Sequence, residues 1–151
     1  LVLTGRKAWN FDTIMQAFAD SPYKDDIHFT GFVSDEELSG LYNGALALCY
    51  VSLFEGFGLP ILEAMQCGTP VIASNTSSMP EVGGSAIYLV DPSSVSDIQQ
   101  AMMEVAASRA LRQQMVEAGH VEQKRFSWRN TAETCWEALQ TACAQKAEQG
   151  G

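Results

Sequence analysis

The chain has 151 residues and a net charge of −9, with 46% hydrophobic and 18% charged residues. This length supports a domain with a sizeable core, and the composition is that of an ordinary globular protein. The acidic balance argues against nucleic-acid binding and against contact of this segment with an anionic membrane. It leaves room for a phosphate site, because loop amides and helix ends act locally.

Cysteine spacing gives no sign of a metal site, and we expect reduced thiols at Cys49, Cys67, Cys135 and Cys143. We expect no disulfide between the last two, because eight residues of a predicted helix separate them by roughly 12 Å. The sequence shows no signal peptide and no apolar run long enough to span a membrane. It begins at Leu1 inside an apolar run, which we interpret as the start of a fragment or an excised domain.

Short apolar runs alternate with helical patterns along the chain. A helix is predicted over residues 10–20, and Ser34 with Glu37 forms a capping box that opens the next helix. The continuous apolar run at 45–51 is typical of a strand buried on both faces. This alternation predicts an α/β fold, a Rossmann-like doubly wound parallel sheet with helices on both faces. The five predicted strands are residues 1–4, 27–30, 45–51, 70–74 and 86–90.

A glycine-rich loop follows the third of these strands. Gly56 and Gly58 suit unusual backbone angles or the close approach of a ligand. Pro60 suits a first helical position, and the predicted helix runs from Pro60 to about Cys67, with Gly68 as its cap. The start of this helix offers N–H groups and the positive end of its dipole, which favour a phosphate.

Two carboxylates flank this loop. Glu55 precedes it, and Glu63, about one helical turn in, can lean back toward it because helical side chains tilt toward the N-terminus. Carboxylates only accept hydrogen bonds, so the pair predicts hydroxyl donors such as a ribose diol and a sugar. Taken singly, Glu55 would be a solvated charge and Glu63 a partner of the helix dipole; together with the glycines they favour binding.

Other segments are candidate ligand contacts. Arg6 and Lys7 follow the first strand, where they either meet a phosphate or are solvated. Ser74, Asn75 and Thr76 either line a pocket or form an ordinary connecting loop. The domain is predicted to cover residues 1–144, and the polar tail 145–151 is predicted to be disordered.

The motifs EGFGLPILE, AMQCGTPVIAS and MPEV occur in this order. With them the chain resembles the retaining glycosyltransferases of family 4, which have the GT-B architecture. The resemblance runs from Leu1 to about Trp136 and covers the later part of the C-terminal, sugar-nucleotide-binding domain. We expect the first strand–helix unit of that domain to be missing.

The resemblance implies transfer of a hexose from a nucleotide sugar to a glycan or lipid-linked acceptor, with retention of configuration and without a metal or other cofactor. The segment from Ser74 to Val82 is similar to bacterial polysaccharide mannosyltransferases, which favours GDP-mannose and a role in polysaccharide or lipopolysaccharide biosynthesis. A UDP-sugar is the alternative donor. The implied partners are this donor and an absent N-terminal GT-B domain that carries the acceptor site. The fragment alone is expected to be inactive, and the full-length protein to be cytoplasmic or peripheral at the inner membrane.

The resemblance also implies residue roles. Glu55 is the candidate catalytic residue, which holds donor-sugar hydroxyls, and Glu63 holds the ribose diol. A nucleophilic role for Glu55 is the alternative, as in retaining hydrolases. The backbone of Val33 reads the edge of the base, although a plain turn there is nearly as well supported. Backbone amides that contact sugar and phosphate are those of Gly56, Phe57, Gly58 and Leu59.

The chain departs from the family pattern at two places. Pro60 has no N–H to donate to phosphate, and the Gly-Arg…Lys pair that clamps the diphosphate has no convincing match, since Gly5-Arg6-Lys7 is followed by the wrong sequence. A non-catalytic nucleotide-sugar-binding module shares the fold and both glutamates. A GT-B epimerase or phosphorylase is a third alternative, although no lysine site for pyridoxal phosphate supports the phosphorylase.

Overall fold

The computed structural model describes residues 1–6 and 11–149, and side chains as far as residue 145. The chain forms two compact units, Leu1–Gly44 and Ala45–Gly151. The predicted fold class is confirmed, since parallel strands alternate with helices throughout. The five predicted strands are all present, and they lie in two sheets, one of two strands and one of three.

Four of the five strands are shorter than the runs that predict them, and the second has the predicted length, displaced by one residue. The strands are β1 Val2–Thr4, β2 His28–Gly31, β3 Leu48–Tyr50, β4 Val71–Ser74 and β5 Tyr88–Val90. The helices are α1 Phe11–Asp20, α2 Asp35–Gly44, α3 Leu59–Gln66, α4 Met79–Gly83, α5 Val95–Ala107, α6 Arg109–Glu122 and α7 Trp128–Gln149.

The first unit contains the β1–β2 sheet and two helices. β1 pairs with β2 in parallel, and Phe29 of β2 packs edge-on against Phe11 and Phe18 of α1, with ring centroids 5.9 and 5.2 Å apart. The predicted capping box is confirmed at the start of α2. There the Ser34 amide donates to the Glu37 carboxylate at 2.7 Å, and the Glu37 amide donates back to the Ser34 hydroxyl at 3.3 Å.

The second unit has a core on each face of the sheet β3–β4–β5. β4 is the central strand and is buried throughout. On one face Ile72 packs in a cluster with Val105 of α5 and Met115 of α6. Val71 and Ala73 alternate with Ile72 and therefore face the other side, where α3 and α4 cover the sheet.

The prediction that the third strand is buried on both faces is wrong. β3 is only half-buried, and the residues before it, Ala45 and Leu46, are exposed. The reason is topological, because within the described residues β3 pairs with β4 alone and lies at the edge of the three-stranded sheet. An edge strand has a paired strand on one side only, so it is less buried than the apolar run suggests.

Helix α3 begins and ends close to the predicted residues. It starts at Leu59, one residue before Pro60, and its N-cap is Gly58 in the left-handed region, with φ of 103°. At its C-terminus Gly68 has φ of 69° and donates to the carbonyl of Met65 at 3.1 Å. The Thr69 amide donates to Ala64 at 2.8 Å, which completes a Schellman motif.

Other helix details differ from the sequence interpretation. The N-cap of α5 is Ser94, whose hydroxyl accepts the amide hydrogen of Asp97 at 3.2 Å. The sequence predicts Met102, Met103 and Met115 as core residues. Met115 is buried, whereas Met102 and Met103 are exposed on α5.

The C-terminal helix α7 is exposed at every residue whose burial is described. It extends to Gln149, into the segment 145–151 that the sequence predicts to be disordered. All four cysteines are free thiols, as expected, and burial raises the pKa of Cys49. Within the described part of the chain, none of the helices combines the length and the apolar character needed to cross a bilayer.

Candidate functional site

The candidate site is the segment that joins the carboxyl end of β3 to the start of α3. We call residues 52–58 the acidic loop, since Glu55 is its charged residue. In open α/β sheets the carboxyl ends of the strands are where ligands bind. The loop ends at Gly58, and Glu63 lies one turn into α3.

Both glutamates act on one phenol group. Tyr50, the last residue of β3, has its hydroxyl close enough to interact with the carboxylate of Glu55 and lies within range of the charge of Glu63. Burial, followed by these interactions with Glu55 and then the charge of Glu63, raises the pKa of Tyr50 to about 12, against an opposing hydrogen bond from Ser52. Both predicted acids therefore lie within electrostatic range of the Tyr50 hydroxyl.

A second loop, residues 75–78 after β4, holds the backbone of the acidic loop. We call it the serine loop. The hydroxyl of Ser77 donates to the carbonyl of Glu55 at 2.6 Å and accepts from the Glu55 amide at 3.2 Å. Ser78 adds a bond to the same carbonyl at 3.1 Å, and Thr76 donates to the carbonyl of Leu53 at 3.2 Å.

The end of β4 contributes to the same arrangement. Ser74 is fully buried, and its hydroxyl donates to the carbonyl of Ser52 at 2.6 Å. The Asn75 amide donates to Val90 of β5 at 2.8 Å, which fixes the start of the serine loop. The hydroxyls of Ser74 and Thr76, which the sequence offered as pocket lining or as part of an ordinary loop, thus bond the backbone of the acidic loop.

The two loop glycines differ in backbone conformation and in the space available for a Cβ atom. Gly58 has a positive φ, and a Cβ there would lie 3.4 Å from Cδ1 of Ile61. Gly56 has no positive φ, and a Cβ there would meet nothing within 4 Å. The chain's own packing therefore explains glycine at position 58 and does not explain it at position 56.

Aromatic and aliphatic side chains border the acidic loop. Phe57 packs edge-on against Phe126, with ring centroids 5.7 Å apart, so the segment before α7 contacts the loop. Leu53 and Phe54 are 72% and 79% exposed. Such exposure in a loop whose backbone is fixed leaves apolar surface available to a ligand or a partner.

The remaining candidate residues lie in the first unit. Val33 is half-buried in the turn between β2 and α2. The guanidinium of Arg6 lies over the ring of Phe32, 5.5 Å from its centroid, and Arg6 also borders a pocket of about 490 Å³ at the carboxyl ends of β1 and β2. Lys7 lies outside the described residues.

Sequence reasoning missed Tyr50, Ser77, Ser78 and Phe126 as parts of this site. Tyr50 was counted as part of an apolar core strand, although a phenol at the carboxyl end of the strand before an acidic loop was an available signal. The serines carried no local signal, because their partners lie 22 and 23 residues away. Phe126 was noted only as part of the approach to the last helix.

The chain matches the family described as "Glycosyl transferases group 1" over residues 1–121, and it belongs to that family. Its fold is that of the GT-B glycosyltransferases. Sucrose-phosphate synthase from Thermosynechococcus elongatus superposes with a TM-score of 0.79 at 26% identity, over 96% of this chain and 39% of that one. Anabaena HepE in complex with UDP-glucose superposes with a TM-score of 0.77 at 20% identity, over 93% of this chain and 40% of that one, and shows the fold alone.

Among curated proteins, the chain is 39% identical to O-antigen chain mannosyltransferase B of Escherichia coli over 130 residues. This match covers 86% of the chain and 34% of the relative. The chain thus spans about a third of the length of that relative. Among the described residues, no three His, Cys, Asp or Glu side chains come together as metal ligands; independence from metal stays a prediction.

Proposed function

We propose that this chain is the donor-binding part of a retaining, family 4 glycosyltransferase. In this proposal the full-length protein transfers a hexose, with mannose favoured, from a nucleotide sugar to a glycan or lipid-linked acceptor in polysaccharide or lipopolysaccharide biosynthesis. The observation that carries it is the arrangement of Glu55 and Glu63 around Tyr50 at the loop that opens α3. The likeness to an O-antigen mannosyltransferase supports mannose and GDP-mannose.

In this proposal each acid binds a different part of the donor. Glu63 accepts hydrogen bonds from the ribose diol, and Glu55 accepts them from hydroxyls of the transferred sugar. The backbone amides of the loop contact sugar and phosphate; they are those of Gly56, Phe57, Gly58 and Leu59. Support for close contact with the sugar comes from Gly56, whose missing Cβ leaves space that no other part of the described chain fills.

The proposed chemistry is electrostatic. Negative charge grows on the departing diphosphate as the glycosidic bond breaks, and loop amides together with the positive end of α3 stabilise it. We assign Glu55 a binding role rather than a nucleophilic one, because its backbone is fixed by Ser77 and its side chain by Tyr50. The stereochemistry is tested by following the anomeric proton of the first-formed product by NMR, where retention is expected.

Val33 is proposed to read the edge of the base through its backbone, and no metal is proposed to take part. Turnover in the presence of a chelator is therefore expected to match turnover without it. The isolated chain is expected to show no transfer, because the acceptor site and the diphosphate clamp are proposed to lie in other parts of the enzyme. Turnover by the purified chain with a sugar nucleotide would contradict this.

The experiment that tests the donor is a calorimetric titration of the full-length protein with GDP-mannose, UDP-glucose and UDP-N-acetylglucosamine. GDP-mannose is expected to bind most tightly. Glu63→Ala should weaken binding about 10- to 100-fold, since hydrogen bonds to a charged group contribute about 1.5–3 kcal/mol. Glu117→Ala is the matched control, since it removes an exposed carboxylate on α6 and should leave the affinity unchanged.

If none of the three sugar nucleotides binds, the proposal is refuted. Tighter binding of a UDP-sugar would keep the enzyme class and replace the donor. Binding without any transfer, with a full set of acceptors, would favour the non-catalytic module.

A further inference from the structure

The loop that carries Glu55 is fixed by a residue far away in the sequence. Ser77 lies 22 positions downstream, and its hydroxyl both donates to the Glu55 carbonyl and accepts from the Glu55 amide. One hydroxyl therefore satisfies both backbone groups of Glu55, which a strand or helix would otherwise have to satisfy. The rotation of the Glu55 backbone is restricted at the residue whose side chain faces the site.

Ser77 makes these bonds from an unfavourable backbone conformation. Its φ is 58°, and it is the single non-glycine residue with positive φ in the described part of the chain. The left-handed region costs a residue with a Cβ about 1–2 kcal/mol, and glycine would avoid that cost. Such strain is found where the surrounding structure over-determines a residue, often at ligand sites.

Tyr50 of β3 lies near the side chain of Glu55. Its hydroxyl interacts with the carboxylate, while the hydrogen bonds from the serine loop hold the backbone. Ser78 also donates to the Glu55 carbonyl, which is therefore not left unpaired when Ser77 is changed. Removal of the Ser77 hydroxyl should consequently loosen Glu55, because its amide loses this partner while its carbonyl keeps the bond from Ser78.

We propose that Ser77 and Tyr50 are positioning residues that hold Glu55 in the orientation in which its carboxylate receives the hydroxyl groups of the donor sugar. This inference rests on the proposed function. It predicts that both residues act on the affinity for the sugar part of the donor and leave the affinity for the nucleoside diphosphate unchanged, because Glu55 touches only the sugar.

The test compares Ser77→Ala, Ser77→Gly and Tyr50→Phe in the full-length protein. Calorimetry gives the affinity of each for the sugar nucleotide that binds best and for the matching nucleoside diphosphate, for example GDP-mannose and GDP. We expect affinity for the sugar nucleotide to fall on the order of tenfold in all three, as loss of a hydrogen bond to a charged or fixed group predicts. Affinity for the diphosphate should stay within twofold.

Ser77→Gly separates positioning from folding stability. Glycine relieves the positive φ that alanine keeps, so Ser77→Gly should unfold at a higher temperature than Ser77→Ala and yet lose the same sugar affinity. Tyr88→Phe is the matched control for the phenol, since Tyr88 makes a comparable bond to Glu104, at 2.8 Å, on a different strand. It should bind both ligands as the unaltered protein does.

Glu55→Gln separates this inference from the proposed function. If Glu55→Gln leaves sugar-nucleotide affinity unchanged, the proposed role of Glu55 is wrong and the inference falls with it. If Glu55→Gln weakens binding while either Ser77→Ala or Tyr50→Phe does not, the proposed function stands and the positioning role is overturned. Equal loss of sugar-nucleotide and diphosphate affinity in the Ser77 and Tyr50 variants would also overturn it.

Discussion

Gly83, the last residue of α4, lies directly against Ile87. A Cβ atom at Gly83 would stand 2.8 Å from Cγ2 of Ile87 and nearer still to Cγ1 and Cδ1 of the same side chain. Ile87 is buried just before β5, and Gly83 is itself buried, so an added Cβ would require a shift inside the packed core. This contact fixes how α4, which follows the serine loop, meets the start of β5.

We therefore expect Gly83→Ala to destabilise the protein by about 1–3 kcal/mol, the usual cost of overpacking a core. Gly40→Ala in α2 is the control, because a Cβ at Gly40 would meet nothing within 4 Å. It should stabilise by about 0.5–1 kcal/mol, as alanine does in a helix interior. Urea unfolding measures both, and a Gly83→Ala protein as stable as the original would contradict the packing described.

Met79 starts α4 and is fully buried, whereas Met103 on α5 is 63% exposed. The same change to alanine should therefore have different effects at the two positions. Met79→Ala should cost about 2–5 kcal/mol through lost burial and the cavity left behind. Met103→Ala should stay within about 0.5 kcal/mol. Similar losses of stability in thermal or urea unfolding would mean that the core is placed wrongly.

Alanine substitution at the two glycines of the acidic loop should have different effects: Gly56→Ala on sugar-nucleotide affinity and Gly58→Ala on the free energy of unfolding. Gly56→Ala should leave the free energy of unfolding unchanged within about 0.5 kcal/mol, because its Cβ meets nothing. It should weaken sugar-nucleotide binding at least about tenfold, if the sugar lies against this position as proposed. Gly58→Ala should cost about 1–2 kcal/mol of stability, because its φ is 103°.

Calorimetric titration and urea unfolding of both variants check these expectations. Unchanged sugar-nucleotide affinity in Gly56→Ala would remove the argument for ligand contact at that residue.

The capping box of α2 should give a measurable acid titration. The amide of Ser34, followed by its hydroxyl, lowers the pKa of Glu37. A lowered folded-state pKa contributes stability above the ordinary pKa of the group, and this contribution is lost as pH falls through the lowered value. NMR titration of the Glu37 carboxyl should show this low midpoint.

Two variants test the cause of that shift. Ser34→Ala removes the hydroxyl and keeps the amide, so the pKa of Glu37 should move part of the way back. Glu37→Gln should remove the associated loss of α2 stability at low pH. A titration midpoint that does not change in Ser34→Ala would exclude the hydroxyl as a cause.

Local patterns in the sequence were enough for much of the fold. The apolar runs located all five strands, the Ser34–Glu37 spacing gave a helix start, and Gly68 gave a helix end. These features depend on neighbours a few residues apart, which a sequence displays directly. The location of Glu55 and Glu63 on the loop and helix after β3 was predicted in the same way.

Predictions that depended on distant partners were weaker. The third strand was expected to be buried on both faces, and its half-exposure follows from an edge position that the run at 45–51 does not encode. Met102 and Met103 were expected in the core, yet only the packing of α5 decides which side of the helix is covered.

The sequence alone determined the alternation of strands and helices, the glycine-rich loop and the two acids beside it, because each is written in residues that are close along the chain. Only the tertiary structure decided that Ser77 holds the backbone of Glu55. The physical reason is that hydrogen bonds across 22 residues form only once β3 and β4 pair side by side and bring the ends of both strands together.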